Sequence, residues 1–169
     1  MKTAIVSCCL CALIFGCKPG PRESRETRRI LVESEVLTDL FATGNTYFVC
    51  TDGTEDHYAR GGRLAIGEFG ELELSSGNQS LPFTPVITVP SDSKLVWIDH
   101  SGEVYIRQTG SADAIAIGTV VCCRFHAGRL ISSKLCGFYR SSAPPKTGNF
   151  GEMPNAHILT GWRAIDDPK

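Results

Sequence analysis

The sequence lacks an excess of charge of either sign, since 17 Lys and Arg against 18 Asp and Glu leave a formal net charge of −1. Duplex nucleic acid and anionic membrane surfaces attract proteins that carry clustered positive charge. The composition therefore favours neither partner, and we expect this chain to bind no nucleic acid.

The sequence also lacks the short motifs of common enzyme classes. It has no G-x-S-x-G elbow, and its glycine pairs are not followed by the Lys-Ser/Thr of a phosphate-binding loop. Asp56 and His57 with a distant Ser are the nearest approach to a catalytic triad, and the sequence offers nothing that would bring such a Ser to them. We therefore expect a protein that is not an enzyme, with no catalytic residue, no cofactor, no metal and no small-molecule substrate.

Long apolar runs are missing apart from Ala4 to Phe15, which is too short for a comfortable transmembrane span. An early Lys precedes this run and Gly16-Cys17 follows it, in the order of a secretory signal. Ile14 to Cys17 resembles the lipobox of bacterial lipoproteins, although Phe15 is larger than the residue usual there. We predict a lipoprotein signal over residues 1–17 with lipid attached at Cys17; a plain secretory signal and an uncleaved apolar start are the alternatives.

The segment after the signal, residues 18–29, combines two Pro with mixed charges and has no aliphatic residue. It cannot bury enough surface to offset the entropy of ordering, so we predict a flexible tether. One β domain is predicted over residues 30–165, followed by a short tail over 166–169.

The domain lacks long helical periodicity and consists of strand-length runs separated by turn residues, which predicts an all-β fold of mostly antiparallel strands in a meander or barrel-like arrangement. Asp52-Gly53 and Ser101-Gly102 are predicted hairpin turns, and Gly61-Gly62 a further reversal. Ala114 to Phe125 is predicted as one long central strand buried on both faces. His157 to Ile165 is predicted as one closing strand.

Four of the eight cysteines lie in the body of the chain, namely Cys50, Cys122, Cys123 and Cys136. These four form no C-x-x-C pair, and adjacent Cys122 and Cys123 would project to opposite faces of a strand. We expect buried thiols or structural disulfides, which an exported compartment permits. The pairing stays open among three connectivities.

An ordered series of short motifs resembles the middle domain of bacterial flagellar rod and hook proteins, and within that family the distal rod proteins most. The series runs Asp39 to Gly44, Tyr47-Phe48-Val49, Asp52-Gly53, Tyr58-Ala59-Arg60, Gly62, Gly70-Glu71-Leu72, Gly77, Pro85 to Pro90, Asp99 to Val104, Ile117-Gly118, Phe125, Gly128-Arg129-Leu130 and Gly137-Phe138-Tyr139. The family pattern differs at Thr46, where it has Gly, and at Gly61, where it has Asp.

The resemblance implies a non-enzymatic packing domain that contacts protein partners, namely flagellar rod, hook or basal-body components. The amphipathic helices that flank this domain in the family, and that build the axial tube, have no counterpart in the sequence, and lipid at Cys17 would replace them as the means of localisation. Lys18 is not the Asp that resembles an inner-membrane retention signal, so we expect the outer membrane, on its periplasmic face. An envelope lipoprotein with this domain as a binding module but no flagellar role is the alternative.

Overall fold

A computed structural model describes residues 29–33, 38–126 and 129–166, with side chains over 38–126 and 129–161. The predicted signal segment, Cys17 and the tether up to residue 28 lie outside the described residues, as do the last three residues of the predicted tail. Within the described ranges the secondary structure is entirely β, with no helix, which confirms the predicted fold class.

Sixteen short strands make up the described chain. In order they are β1 (Arg29–Glu33), β2 (Asp39–Ala42), β3 (Thr46–Thr51), β4 (Asp56–Ala59), β5 (Gly61–Ile66), β6 (Leu72–Ser76), β7 (Gln79–Pro82), β8 (Ser93–Ile98), β9 (Glu103–Gln108), β10 (Ala114–Thr119), β11 (Val121–Arg124), β12 (Leu130–Ser132), β13 (Tyr139–Ser141), β14 (Lys146–Asn149), β15 (Ile158–Thr160) and β16 (Trp162–Asp166).

These strands form four antiparallel sheets. The six-stranded sheet has the order β12-β13-β4-β3-β11-β14, and the five-stranded sheet has the order β15-β2-β5-β6-β7. A three-stranded sheet has the order β10-β9-β8, and β1 pairs with β16. The predicted turns at Asp52-Gly53 and Ser101-Gly102 are confirmed, because they connect β3 to β4 and β8 to β9.

One hydrophobic core joins the three larger sheets. Phe48 on β3 is fully buried in it, and its ring lies 5.9 Å from the ring of Phe83 and 5.3 Å from that of Phe150. A smaller cluster around Val49, Tyr58 and Cys123 lies on the opposite face of the six-stranded sheet. Strand β3 therefore buries both of its faces, since alternate residues of a strand point in opposite directions.

The predicted reversal at Gly61-Gly62 is wrong. Both glycines lie inside β5, where Gly61 pairs with Phe41 and Gly62 with Leu40, while the chain bends at Arg60 to pass from the six-stranded to the five-stranded sheet. They permit close packing, because a Cβ on Gly61 would lie 2.7 Å from the carbonyl oxygen of Leu40. Glycine pairs mark close backbone approach as well as turns, and the local sequence does not distinguish the two.

Two further predictions need correction. The single strand over Ala114 to Phe125 is divided at Val120 into β10 and β11, which belong to different sheets. Strand β11 is central, but β10 is an edge strand that is largely exposed, so the expected burial of both faces holds only for the second half. The single closing strand is likewise two strands, β15 and β16, with different partners.

Candidate functional site

A polar cluster forms where the β3–β4 hairpin meets the loop between β12 and β13. His57 is only 2% exposed, and its Nε2 lies 3.0 Å from Asp52 Oδ2 while its Nδ1 lies 3.5 Å from Ser133 Oγ. Glu55 lies beside this pair and forms an ion pair with Arg140. The sequence analysis paired His57 with Asp56, but the structure places Asp52 against the ring.

The turn between β3 and β4 explains the position of Asp52. Its Oδ1 accepts hydrogen bonds from the backbone N–H of Thr54, at 2.9 Å, and of Glu55, at 3.0 Å, and from the Thr54 hydroxyl, at 2.6 Å. Such self-bonding is why Asp favours turns. The Thr54 hydroxyl, His57 and these backbone bonds together hold the pKa of Asp52 well below its ordinary value.

This cluster supports hairpin structure better than chemistry. The donor atoms of Asp52, Glu55 and His57 lie within 4.8 Å of one another, as a metal site requires. However, these side chains already have partners. Both ring nitrogens of His57 face other side chains, and Asp52 accepts three hydrogen bonds besides its contact with His57. Glu55 forms an ion pair with Arg140. Binding an ion here would replace existing interactions rather than satisfy free ligands.

The four body cysteines are free thiols, of which Cys50, Cys122 and Cys123 are buried and Cys136 is exposed. Cys122 lies in the main core and Cys123 in the smaller cluster, on opposite faces of β11. Burial raises the pKa of the Cys122 thiol to about 11 and that of the Cys50 and Cys123 thiols further. Buried neutral thiols of this kind are inert packing residues.

A second candidate site is an exposed apolar tip at one end of the five-stranded sheet. Phe69 stands in the connection between β5 and β6, residues 67–71, and is 85% exposed, and Ile66 at the end of β5 is 54% exposed. Glu68 flanks Phe69 in the turn, and the carboxylates of Glu71 and Glu73 converge over Gly67. Ile66, Glu68, Phe69, Glu71 and Glu73 are called the acidic tip below.

The acidic tip is fixed in shape by its own hydrogen bonds. Gly67 N–H donates to the Glu71 carbonyl at 2.8 Å, and Gly70 N–H donates to the Gly67 carbonyl at 3.1 Å. The Glu71 carboxylate accepts from Phe69 N–H at 3.0 Å. Burial, together with the neighbouring Glu71 charge, raises the pKa of Glu73. Three glutamates, Glu68, Glu71 and Glu73, thus lie beside the exposed apolar side chains of the tip.

A third candidate site is a recess of about 500 Å³ on the three-stranded sheet, lined by Lys94, Leu95, Arg107, Gln108 and residues 110–112. Leu95 and Arg107 are directly paired across β8 and β9, and Leu95 is 49% exposed. The lining holds two cationic side chains and no carboxylate. These lining residues are called the basic recess below.

The two tryptophans differ in what the structure describes. Trp97 is half-buried and stacks on Tyr105, with ring centroids 5.5 Å apart and planes at 16°. Trp97 therefore packs within the three-stranded sheet as a structural residue. The side chain of Trp162 lies outside the described side chains.

Comparison with known proteins identifies no relative: no family model matches the chain, and no curated protein matches it significantly. No helix within the described ranges is both long enough and apolar enough to cross a membrane. The resemblance to rod and hook proteins therefore depends on the motif series alone.

Sequence reasoning missed the acidic tip and the basic recess. The sequence of residues 67–70, Gly-Glu-Phe-Gly, indicates a turn but not that the Phe69 ring is exposed. The basic recess had no comparable signal, because Lys94 and Arg107 are brought together only by the β8–β9 register.

Proposed function

We propose that this chain is a lipid-anchored docking module of the cell envelope, with a β domain of the flagellar rod and hook type that contacts axial or basal-body components. It performs no chemistry in this role. The observation that carries the proposal is the ordered motif series, which extends over about a hundred residues of an all-β domain.

The backbone geometry at the glycines of that series supports the proposal. Gly44, Gly53, Gly70, Gly77, Gly102 and Gly137 all have positive φ, which side chains other than Gly rarely adopt. Glycine at these six positions therefore meets a requirement of this chain's backbone, as the proposal expects of the motif positions. Gly62, also in the series, lies against the Ser75 carbonyl oxygen, where no Cβ would fit.

The two departures from the family pattern have local causes in this chain. The Thr46 hydroxyl donates to the Thr43 carbonyl at 2.5 Å and closes the turn that precedes β3. At Gly61 an Asp would place its Cβ against the Leu40 carbonyl, so β2 and β5 approach more closely here than the family residue would permit.

Anchorage would bring the domain to its partners. Lipid at Cys17 would hold the domain at the membrane, and the tether over residues 18–29 would give it reach. Lys18 favours the outer membrane, on its periplasmic face.

Deletion and purification test the proposal. We expect deletion of the chain to reduce motility and the intact chain to co-purify with basal bodies. Cys17→Ser should abolish both acylation and rescue of motility, whereas the matched control Cys136→Ser, an exposed thiol of the body, should retain both. Normal motility after deletion, with no co-purification, would reject the flagellar role and favour an envelope binding module without one.

A further inference from the structure

We propose that the acidic tip of one copy of this chain docks into the basic recess of a second copy. The occupant is the chain itself, because each site offers what the other lacks. This inference does not depend on the flagellar role.

The acidic tip has the features of an inserting element. Phe69, 85% exposed, projects from a turn whose backbone is held by internal hydrogen bonds, so little conformational entropy is lost when it docks. Aromatic side chains in rigid turns are frequent anchors of protein interfaces, since they bury a large area for few rotatable bonds. An exposed ring at this position contributes no buried apolar area to the stability of the fold.

The basic recess has the features of a receiving site. Its lining includes Leu95, which is 49% exposed, and the small residues 110–112. The volume of about 500 Å³ is ample for one aromatic side chain with its neighbours. Exposed Leu95 would be covered by the entering ring.

Charge complementarity selects this occupant. The sequence between Arg63 and Lys94 contains no Lys or Arg, so no cation lies close to the carboxylates around Phe69 along the sequence. Lys94 and Arg107 present the opposite sign at the rim of the basic recess. The nearby carboxylate of Asp92 is engaged by Gln108, whose Nε2 donates to it at 2.9 Å. Docking therefore places the Phe69 ring against Leu95, and the carboxylates of the acidic tip against Lys94 and Arg107.

Sedimentation velocity of the full chain in a mild non-ionic detergent tests this contact. We expect the mass per complex to rise with protein concentration and to fall when salt is added, because exposed charge pairs are screened. Phe69→Ser, and independently Glu68→Lys, should weaken association at least about tenfold, and so should Arg107→Glu. The matched controls Ile131→Ser and Lys134→Glu, exposed residues of the six-stranded sheet and its β12–β13 loop, should associate like the wild type.

A mixture of variants makes the test specific. The tip variant Glu68→Lys keeps an intact recess and Arg107→Glu keeps an intact tip, so an equimolar mixture should form mixed complexes that neither variant forms alone. Recovery in the mixture also demonstrates that both variants are folded. A wild-type chain that stays monomeric at all concentrations, association unchanged in both variants, or a mixture that fails to recover would each overturn the proposal.

Discussion

Removal of the Phe48 ring tests whether β3 packs in the main core between the sheets. Phe48 is fully buried on β3 and makes ring contacts with Phe83 at 5.9 Å and Phe150 at 5.3 Å. Truncating a buried Phe to Ala costs about 3–5 kcal/mol through lost transfer energy and the cavity that remains. Because two aromatic partners lose their contact as well, we expect about 4 kcal/mol for Phe48→Ala.

The matched control is the same chemical change at the acidic tip. Phe69 is 85% exposed, so Phe69→Ala should change the free energy of unfolding by less than about 0.5 kcal/mol. Urea denaturation at a protein concentration too low for self-association measures both. With an m-value of about 2 kcal/mol/M, Phe48→Ala should lower the unfolding midpoint by about 2 M and Phe69→Ala by almost nothing.

Equal effects of the two substitutions would refute the assignment of core and tip. A loss below about 1 kcal/mol for Phe48→Ala would mean that β3 does not bury this face between the sheets. Conversely, a large loss for Phe69→Ala would mean that the tip is packed against the body of the domain rather than exposed to solvent.

Three other predictions concern glycine packing, acid stability and thiol reactivity. Gly62→Ala should lower the free energy of unfolding by about 2 kcal/mol, because the added Cβ meets a strand carbonyl. Gly110→Ala should lower it by about 1 kcal/mol, because no atom lies within 4 Å of the added Cβ but φ is +83°. Urea denaturation compares the two variants. The pKa of Asp52 is depressed in the folded protein, so the stabilisation from its carboxylate is complete above the ordinary Asp pKa and is lost as pH falls through the folded value. Asp52→Asn should therefore lose less stability on acidification than the wild type. Equal acid sensitivity of the variant and the wild type would contradict this. In the folded protein a thiol reagent should modify Cys136 quickly and Cys123 only on unfolding, as peptide mapping would report, and rapid labelling of Cys123 would disprove its burial.

The turns at Asp52-Gly53 and Ser101-Gly102 could be predicted because their signals are local. Each of these turns joins two antiparallel strands, β3 to β4 and β8 to β9. Alternating side-chain direction also placed Cys122 and Cys123 on opposite faces, which the two separate core clusters confirm.

Features that depend on which strands become neighbours could not be predicted. The sequence Gly61-Gly62 is typical of a turn, but both residues lie in a strand because β2 and β6 approach them from both sides. The break at Val120 is equally non-local, since its N–H donates to the Gly102 carbonyl and redirects an apolar run into another sheet. The acidic tip and the basic recess are surface features of the same kind.

The position of the protein in living cells tests the central claim most directly. A fluorescently tagged chain should form foci at flagellar bases, and these foci should disperse in a strain that lacks the rod while the chain remains acylated. An even distribution around the envelope, identical with and without the rod, would contradict the account.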